Sequence, residues 1–381
     1  MIIMGSAAAN NSGLKNATGN LNSSISDTAK TEGHRVLGML DYLTTQLPQW
    51  GPLKNIKHQK TYSDIWVDYR NAANTPVSVN QIDELRAKLG IAQDWNNAPQ
   101  LKHLLDHMQT QGLANPQTLT YIDKIIKEHG KATEEAISKS LSDYLSSFSS
   151  PGDEQKGIIR DALHDIAYPS NINQSNKDTC TATAVQIKTA IERPVQYVDM
   201  LVSLAKDQPY TLPSGNSLQP DNVWRYDAND NRSYSCKILE NAFMSLERTY
   251  IIPLPAYDSI KDNAIPNPWQ IAHLVSQIFG APQYENHSVA LGKSLYQQVE
   301  DDIARGRPTV VCFTGHAVLA VGIDKSSSPN RVIIDSWGKQ VSMTVDEFTE
   351  QVLSVCSFND PGPNKRQVPA GSKQILGDTD S

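Results

Sequence analysis

The feature that most constrains the fold is a change of hydrophobic period along the chain. Up to about residue 148, apolar side chains recur at intervals of three and four. Val36, Leu37, Leu40 and Leu43 form one such set, and Ile82, Leu85 and Leu89, closed by Gly90, form another. Leu101, Leu104, Leu105 and Met108 repeat the spacing, as do Leu119, Ile122, Ile125 and Ile126, then Ile137, Leu141, Tyr144 and Leu145. That interval covers one face of an α-helix. In the last third the apolar residues gather instead in short β-branched runs, 309–313, 317–322 and 331–334, each bounded by Gly, Pro or Ser. Such runs read as strands. Between the two regimes, helices are expected from Cys180 to the limit set by Pro194, over 237–247, and from Trp269 to Ile278. Helices first and strands after predict an α+β protein, not a doubly wound sheet.

The run from Ser146 to Pro151-Gly152 punctuates the chain. We therefore expect a helical N-terminal domain over 33–150 and a second domain over 155–357. Residues 1–32 and 358–381 are polar and poor in large apolar groups, and are expected to be disordered because they bury too little to offset ordering entropy.

Composition narrows the function classes. The formal charge is -7 over 381 residues, with both signs mixed along the chain, which disfavours nucleic acid as a partner. No apolar run reaches the roughly 18 residues a membrane-spanning helix needs. The four cysteines, Cys180, Cys236, Cys312 and Cys356, are widely spaced and contain no CxxC pair, so a reducing compartment is the simpler setting. No zinc pattern is present: His103 and His107 have i,i+4 spacing but no acidic or cysteine partner arranged beside them. The start, Met1-Ile2-Ile3-Met4-Gly5, lacks the basic and sustained apolar stretches of a secretory signal. Export would need a dedicated secretion system.

Against that background four residues fall in an order that carries chemistry: Gln174, Cys180, His316 and Asp335. A cysteine attacks as thiolate, and the first turn of a helix, with its unpaired N–H groups, lowers the thiol pKa. Cys180 is expected there, with Asp178 or Thr179 as N-cap. His316, after Gly315 at the entry of an apolar strand, is placed to exchange a proton with the sulfur. Asp335 ends another strand and can fix the tautomer and orientation of the ring. Trp337 can cover that hydrogen bond. The Cys180 N–H and the Gln174 amide are candidate oxyanion donors. Each has a plain alternative: a buried core cysteine, a histidine at a strand start, a turn aspartate, a core tryptophan, a loop glutamine. Cys312 reads as core, and Cys236 and Cys356 as structural. The segment from Asp227 to Ser233 has a calcium-like composition without the glycine and final glutamate of an EF-hand loop, and reads as a polar turn.

The order and spacing resemble papain-like cysteine peptidases, in which His and Asn follow the Cys by roughly 130–150 residues. Ala182 matches their Cys-x-Ala helix start, the segment Leu239 to Met244 resembles the helix that follows their glycine-rich specificity segment, and Gly315-His316-Ala317-Val318 resembles their histidine strand. Asp335-Ser336-Trp337-Gly338 resembles their Asn-Ser-Trp-Gly. The resemblance spans about residues 165–345. It departs where the family's Cys-Gly-Ser-Cys-Trp becomes Lys177-Asp178-Thr179-Cys180-Thr181, without the disulfide cysteine or the tryptophan. Aspartate as third member is similar to Cys-His-Asp bacterial effector proteases, leader peptidases and papain-fold toxins. The resemblance implies a helical lobe and an antiparallel β lobe, a thioester intermediate, no cofactor, and a protein or peptide substrate. The helical domain would then bind a host target, inhibit the site, or bind a delivery chaperone, and the sequence does not choose among these. A papain-fold glutamine deamidase or transglutaminase, and a binding module with a vestigial site, are the alternatives to a cysteine peptidase.

Overall fold

The computed structural model describes residue 87 and residues 98–175, 177, 179–222, 225, 230–251, 268–280, 284–288, 294–313 and 315–358; for 247–251, 268–269 and 284–288 it describes the backbone only. These residues all belong to one compact unit, Ile56–Ser381. The helices expected over 36–43 and 82–89, apart from helical Ala87, and the disorder expected over 1–32 and 358–381, apart from Phe358, which ends a strand, lie outside the described residues.

The described residues are α+β: ten α-helices and two antiparallel sheets. Four helices come first, α1 (Pro99–Thr110), α2 (Pro116–His129), α3 (Lys131–Ser146) and α4 (Asp153–Ala167). Their buried faces carry the expected residues, including Leu101, Leu104, Leu105 and Met108 in α1 and Ile137, Leu141, Tyr144 and Leu145 in α3. Helix α2 starts at a reciprocal cap, in which Asn115 Oδ1 accepts from the Thr118 N–H at 2.9 Å and Thr118 Oγ1 accepts from the Asn115 N–H at 3.0 Å. The boundary expected at Pro151-Gly152 falls on the turn between α3 and α4. Buried residues on its two sides belong to one continuous hydrophobic cluster, from Ala98 to Cys356.

Next come α5 (Cys180–Glu192) and α6 (Pro194–Ala205), a small hairpin of β1 (Tyr210–Thr211) and β2 (Ser217–Leu218), then α7 (Tyr234–Ile251) and α8 (Pro268–Phe279). Helix α5 is central: every residue from Cys180 to Ala190 is buried. A helix surrounded on all sides needs partners for its polar groups. Gln186 Nε2 accordingly donates to the Tyr197 hydroxyl at 2.8 Å, and Lys188 Nζ reaches Glu192 and the Pro308 carbonyl.

The large sheet follows: β3 (Tyr284–Ser288), α9 (Leu295–Ala304), β4 (Thr309–Phe313), β5 (His316–Asp324), β6 (Arg331–Ser336), β7 (Lys339–Thr344), α10 (Val345–Gln351) and β8 (Val352–Phe358). Its order is β3-β8-β4-β5-β6-β7, with every neighbouring pair antiparallel. Both faces are covered. Val310, Cys312, Ala317, Leu319 and Cys356 join the helical core beside α5, whereas α9 and α10 pack on other strand contacts, with Phe313 edge-on to Phe348 at 5.8 Å. Two covered faces explain why β4 and β5 read as near-continuous apolar runs instead of alternating ones. Among the described residues no helix is long and apolar enough to cross a membrane.

Candidate active site

Cys180 is the first residue of α5 and is 6% exposed. Helix α5 packs on β4, β5 and β6. The Cys180 sulfur lies close enough to Cys312 to act on it: burial pushes the Cys312 thiol up to about 12, a bond to Ser354 opposes this, and Cys180 adds to the rise. Cys312 is thereby an inert, protonated core thiol, as expected. Cys236 and Cys356 are also buried, and burial holds both thiols far above the ordinary range.

His316 opens β5, paired with Phe313 across the β4–β5 turn. Gly315 in that turn has φ 71, a left-handed conformation that suits glycine. The ring is buried, and burial pulls its pKa down to about 3, so the imidazole is neutral at neutral pH. Its Nε2 lies 2.8 Å from Ser336 Oγ. Its face is stacked on the Trp337 indole, with centroids 3.8 Å apart and planes 8° from parallel.

Trp337 and Gly338 form the two-residue turn between β6 and β7, with φ of 48 and 73. Two positive φ values suit the twist of a tight hairpin, but the first position ordinarily goes to Asn, Asp or Gly. A tryptophan held there costs on the order of 1 kcal/mol. The conformation brings the indole over His316. Gly338 must be glycine for a second reason: a Cβ there would stand 3.2 Å from the Asn171 carbonyl and 3.0 Å from Asn173 Nδ2. The turn is thus pressed against the loop that leads to Cys180.

Asp335 is brought to the same hairpin but not to the ring. Its Oδ1 accepts from Gln340 Nε2 at 3.1 Å, and among the described residues no hydrogen bond joins it to His316. Burial pushes its carboxyl up to about 7, against the pull of the Gln340 bond. The expected Asp335–His316 contact is therefore corrected to Ser336–His316. Consecutive strand residues point to opposite faces, and the face of β6 that meets the imidazole carries Ser336. Trp337 covers the ring as expected, although the bond beside it is the one to Ser336. The alternation of a short strand, counted back from its turn, is the signal that could have singled out Ser336.

Gln174 is buried in the loop before Cys180. Its Nε2 donates to the Lys177 carbonyl at 2.6 Å, and the Lys177 N–H donates to the Gln174 carbonyl at 3.2 Å. The loop is tightened further by Asn173, whose Oδ1 accepts from the Ser175 N–H at 2.8 Å, with Ser175 at φ 57. One amide proton of Gln174 is used in holding this loop, and a primary amide has a second.

Chemically, the residues offer a thiol at a helix start beside the sheet face that carries Cys312, Ala317 and Leu319, a neutral imidazole at the strand position alternate to Ala317 with one nitrogen engaged by a hydroxyl, and a carboxyl that titrates near neutrality. No known protein family, curated protein or solved structure matches the chain.

Proposed function

We propose that this chain is a thiol acyl-transfer enzyme with a papain-like fold, a cysteine peptidase that cleaves an amide bond in a protein or peptide. One observation carries the reading: the helix that begins at Cys180 packs on β5 and β6, the strands that hold His316 and Asp335.

In this reading Nε2–H of His316 donates to Ser336 Oγ, which makes Nδ1 the unprotonated nitrogen that takes the thiol proton. The Cys180 thiolate adds to the amide carbonyl carbon. The carbonyl oxygen becomes an oxyanion held by the Cys180 N–H and the second amide proton of Gln174. Collapse breaks the C–N bond, and His316 returns its proton to the leaving amine. Water, deprotonated by the same imidazole, then hydrolyses the thioester and restores the thiol. Asp335 is the acid whose ionisation near neutral pH would balance the imidazolium while it exists. The Trp337 stack keeps the ring in plane and limits water around it.

The test is Cys180→Ala in the full chain. Turnover of a cleaved protein substrate, and labelling by iodoacetamide at the peptide containing residue 180, should both vanish while the circular dichroism spectrum is kept. Undiminished turnover in that variant would sink the reading. Intact-mass measurement on the substrate shows which acyl acceptor is used, since backbone cleavage, a deamidated glutamine and an amine adduct have different masses.

A further inference from the structure

Beside Cys180 lies a buried charged network that the proposed chemistry does not use. Glu240, on α7, has no exposed surface; Arg232 is 3% exposed and Asp230 5%. Arg232 bridges the two acids, with Nη2 donating to Asp230 Oδ2 at 2.6 Å and Nη1 to Glu240 Oε2 at 2.7 Å. Its Nη2 also donates to Asn241 Oδ1 at 3.3 Å. Burial alone would lower the guanidinium pKa, yet Glu240 and Asp230 hold it above the ordinary value, so the cation is firmly charged. Breaking such a pair is costly, because it leaves an uncompensated charge in the interior.

The Glu240 carboxylate then grips the first turn of α5 at two points. Thr179 Oγ1 donates to its Oε2 at 2.6 Å and Thr183 Oγ1 to its Oε1 at 2.8 Å. Thr179 and Thr183 are also joined through the backbone, the Thr183 N–H donating to the Thr179 carbonyl at 2.9 Å. The consequence is unusual for a threonine at this position. Thr is a preferred N-cap residue because its oxygen accepts from the N–H groups of the first turn. Asn115, Ser294 and Thr344 do this at the starts of α2, α9 and α10. Thr179 makes no side-chain cap: its hydroxyl points to Glu240 as a donor.

We infer that Glu240, anchored by Arg232, is a positioning residue for Cys180: it draws the Thr179 hydroxyl away from the helix start, so that the Thr181 and Ala182 N–H groups, the ones a Thr179 cap would take, serve the sulfur instead. The inference rests on Cys180 being the nucleophile. An N-cap oxygen in that place would compete for the donors that stabilise the thiolate and would present it with a lone pair, which raises the thiol pKa.

The experiment follows alkylation of Cys180 by iodoacetamide against pH in the full chain, read at its own peptide by mass spectrometry, with glutathione as the free-thiol reference. Wild-type Cys180 reaching half-maximal rate at lower pH than glutathione is the result the nucleophile reading needs; failure there removes that reading and leaves nothing to position. Given that result, Glu240→Gln should move the half-maximal pH up by about one unit and slow alkylation at neutral pH about tenfold. Adding Thr179→Val to Glu240→Gln should recover most of the loss, because valine cannot cap. A purely structural role predicts the opposite, a deeper loss in the double variant, and that outcome overturns the inference. An unshifted profile in folded Glu240→Gln overturns it too. Should Glu240→Gln fail to fold, Thr183→Val releases one of the two grips and keeps the ion pair. It should slow alkylation about threefold in the same direction, and a rate equal to or above wild type counts against the inference.

Discussion

The walls around Cys180 and around His316 are built on opposite principles. On the Cys180 wall, a guanidinium and two carboxylates are buried together, and hydrogen bonds run from them to the helix start. On the His316 wall, the Ser336 hydroxyl and the Trp337 face hold the ring, and burial keeps it neutral. The difference shows how each wall can keep its geometry. Charge can be retained in an interior only when several bonds satisfy it, and those bonds make the wall rigid. A neutral ring needs no counter-charge, so a hydrogen bond and a stack can orient it, and its lowered pKa makes it take a proton only where a negative charge forms beside it.

The largest effect expected from this contrast lies on the charged wall. Arg232→Met should destabilise the fold by about 3–5 kcal/mol, because Asp230 and Glu240 are left facing each other without a cation. Urea unfolding measures this; a loss under about 1 kcal/mol would show that the carboxylates find other partners and that the rigidity argument is wrong.

On the neutral wall, Ser336→Ala and Asp335→Asn should separate. Loss of the Ser336 hydroxyl removes the hydrogen bond that orients the ring, and should lower kcat by roughly 10- to 100-fold with little change in KM. Asp335→Asn keeps an acceptor for Gln340 and should cost far less. The reverse ranking would mean that Asp335 turns onto the ring during catalysis.

The same substitution sharpens the comparison through pH. The folded-state pKa of Asp335 is raised to about 7, so as pH rises from about 4 the unfolded chain gives up this proton first. Asp335 therefore costs stability progressively between about pH 4 and 7, and by a constant amount above that. His316, lowered to about 3, has the opposite sense: its cost grows as pH falls from about 6.5 to 3. Asp335→Asn removes only the first slope. The variant should match wild type near pH 4 and exceed it above pH 7 by on the order of 1–3 kcal/mol, as read by thermal melts across that range. A difference that does not change with pH would contradict this.

The smallest effect belongs to Trp337. Asparagine suits the positive φ of this turn, so Trp337→Asn relieves backbone strain while it removes the stack on His316. Stability should change by less than about 1 kcal/mol, and kcat should fall several-fold as the ring loses its guide. A large loss of stability would show that the indole is chiefly a packing residue.

Much of this architecture could be read from periodicity. The stripe Leu101, Leu104, Leu105 and Met108 faces inward as its spacing requires, Cys180 opens its helix, and the runs 309–313 and 331–334 are strands. The helix expected over 237–247 extends in fact over Tyr234–Ile251, because a helix boundary depends on a few terminal bonds. The site was legible as a set of residues and illegible as a set of contacts. Asp335 and Ser336 are adjacent in sequence and opposite in direction, so a motif cannot tell which one meets the ring. The segment around Asp230 and Arg232 read as a polar turn, whereas both side chains are buried and paired, because their partner Glu240 comes from the next helix.

The sequence by itself determined the order of helices and strands and the placing of Cys180 in the first turn of a helix. Those follow from local steric periods and from the segregation of apolar groups, which act over a few residues. The tertiary structure alone decided that Ser336 holds the imidazole, that Trp337 lies flat upon it, and that Glu240 takes the hydroxyl of Thr179. Each of these is a directional bond or contact between segments that meet only after folding, and its geometry depends on strand alternation, turn conformation and helix placement together.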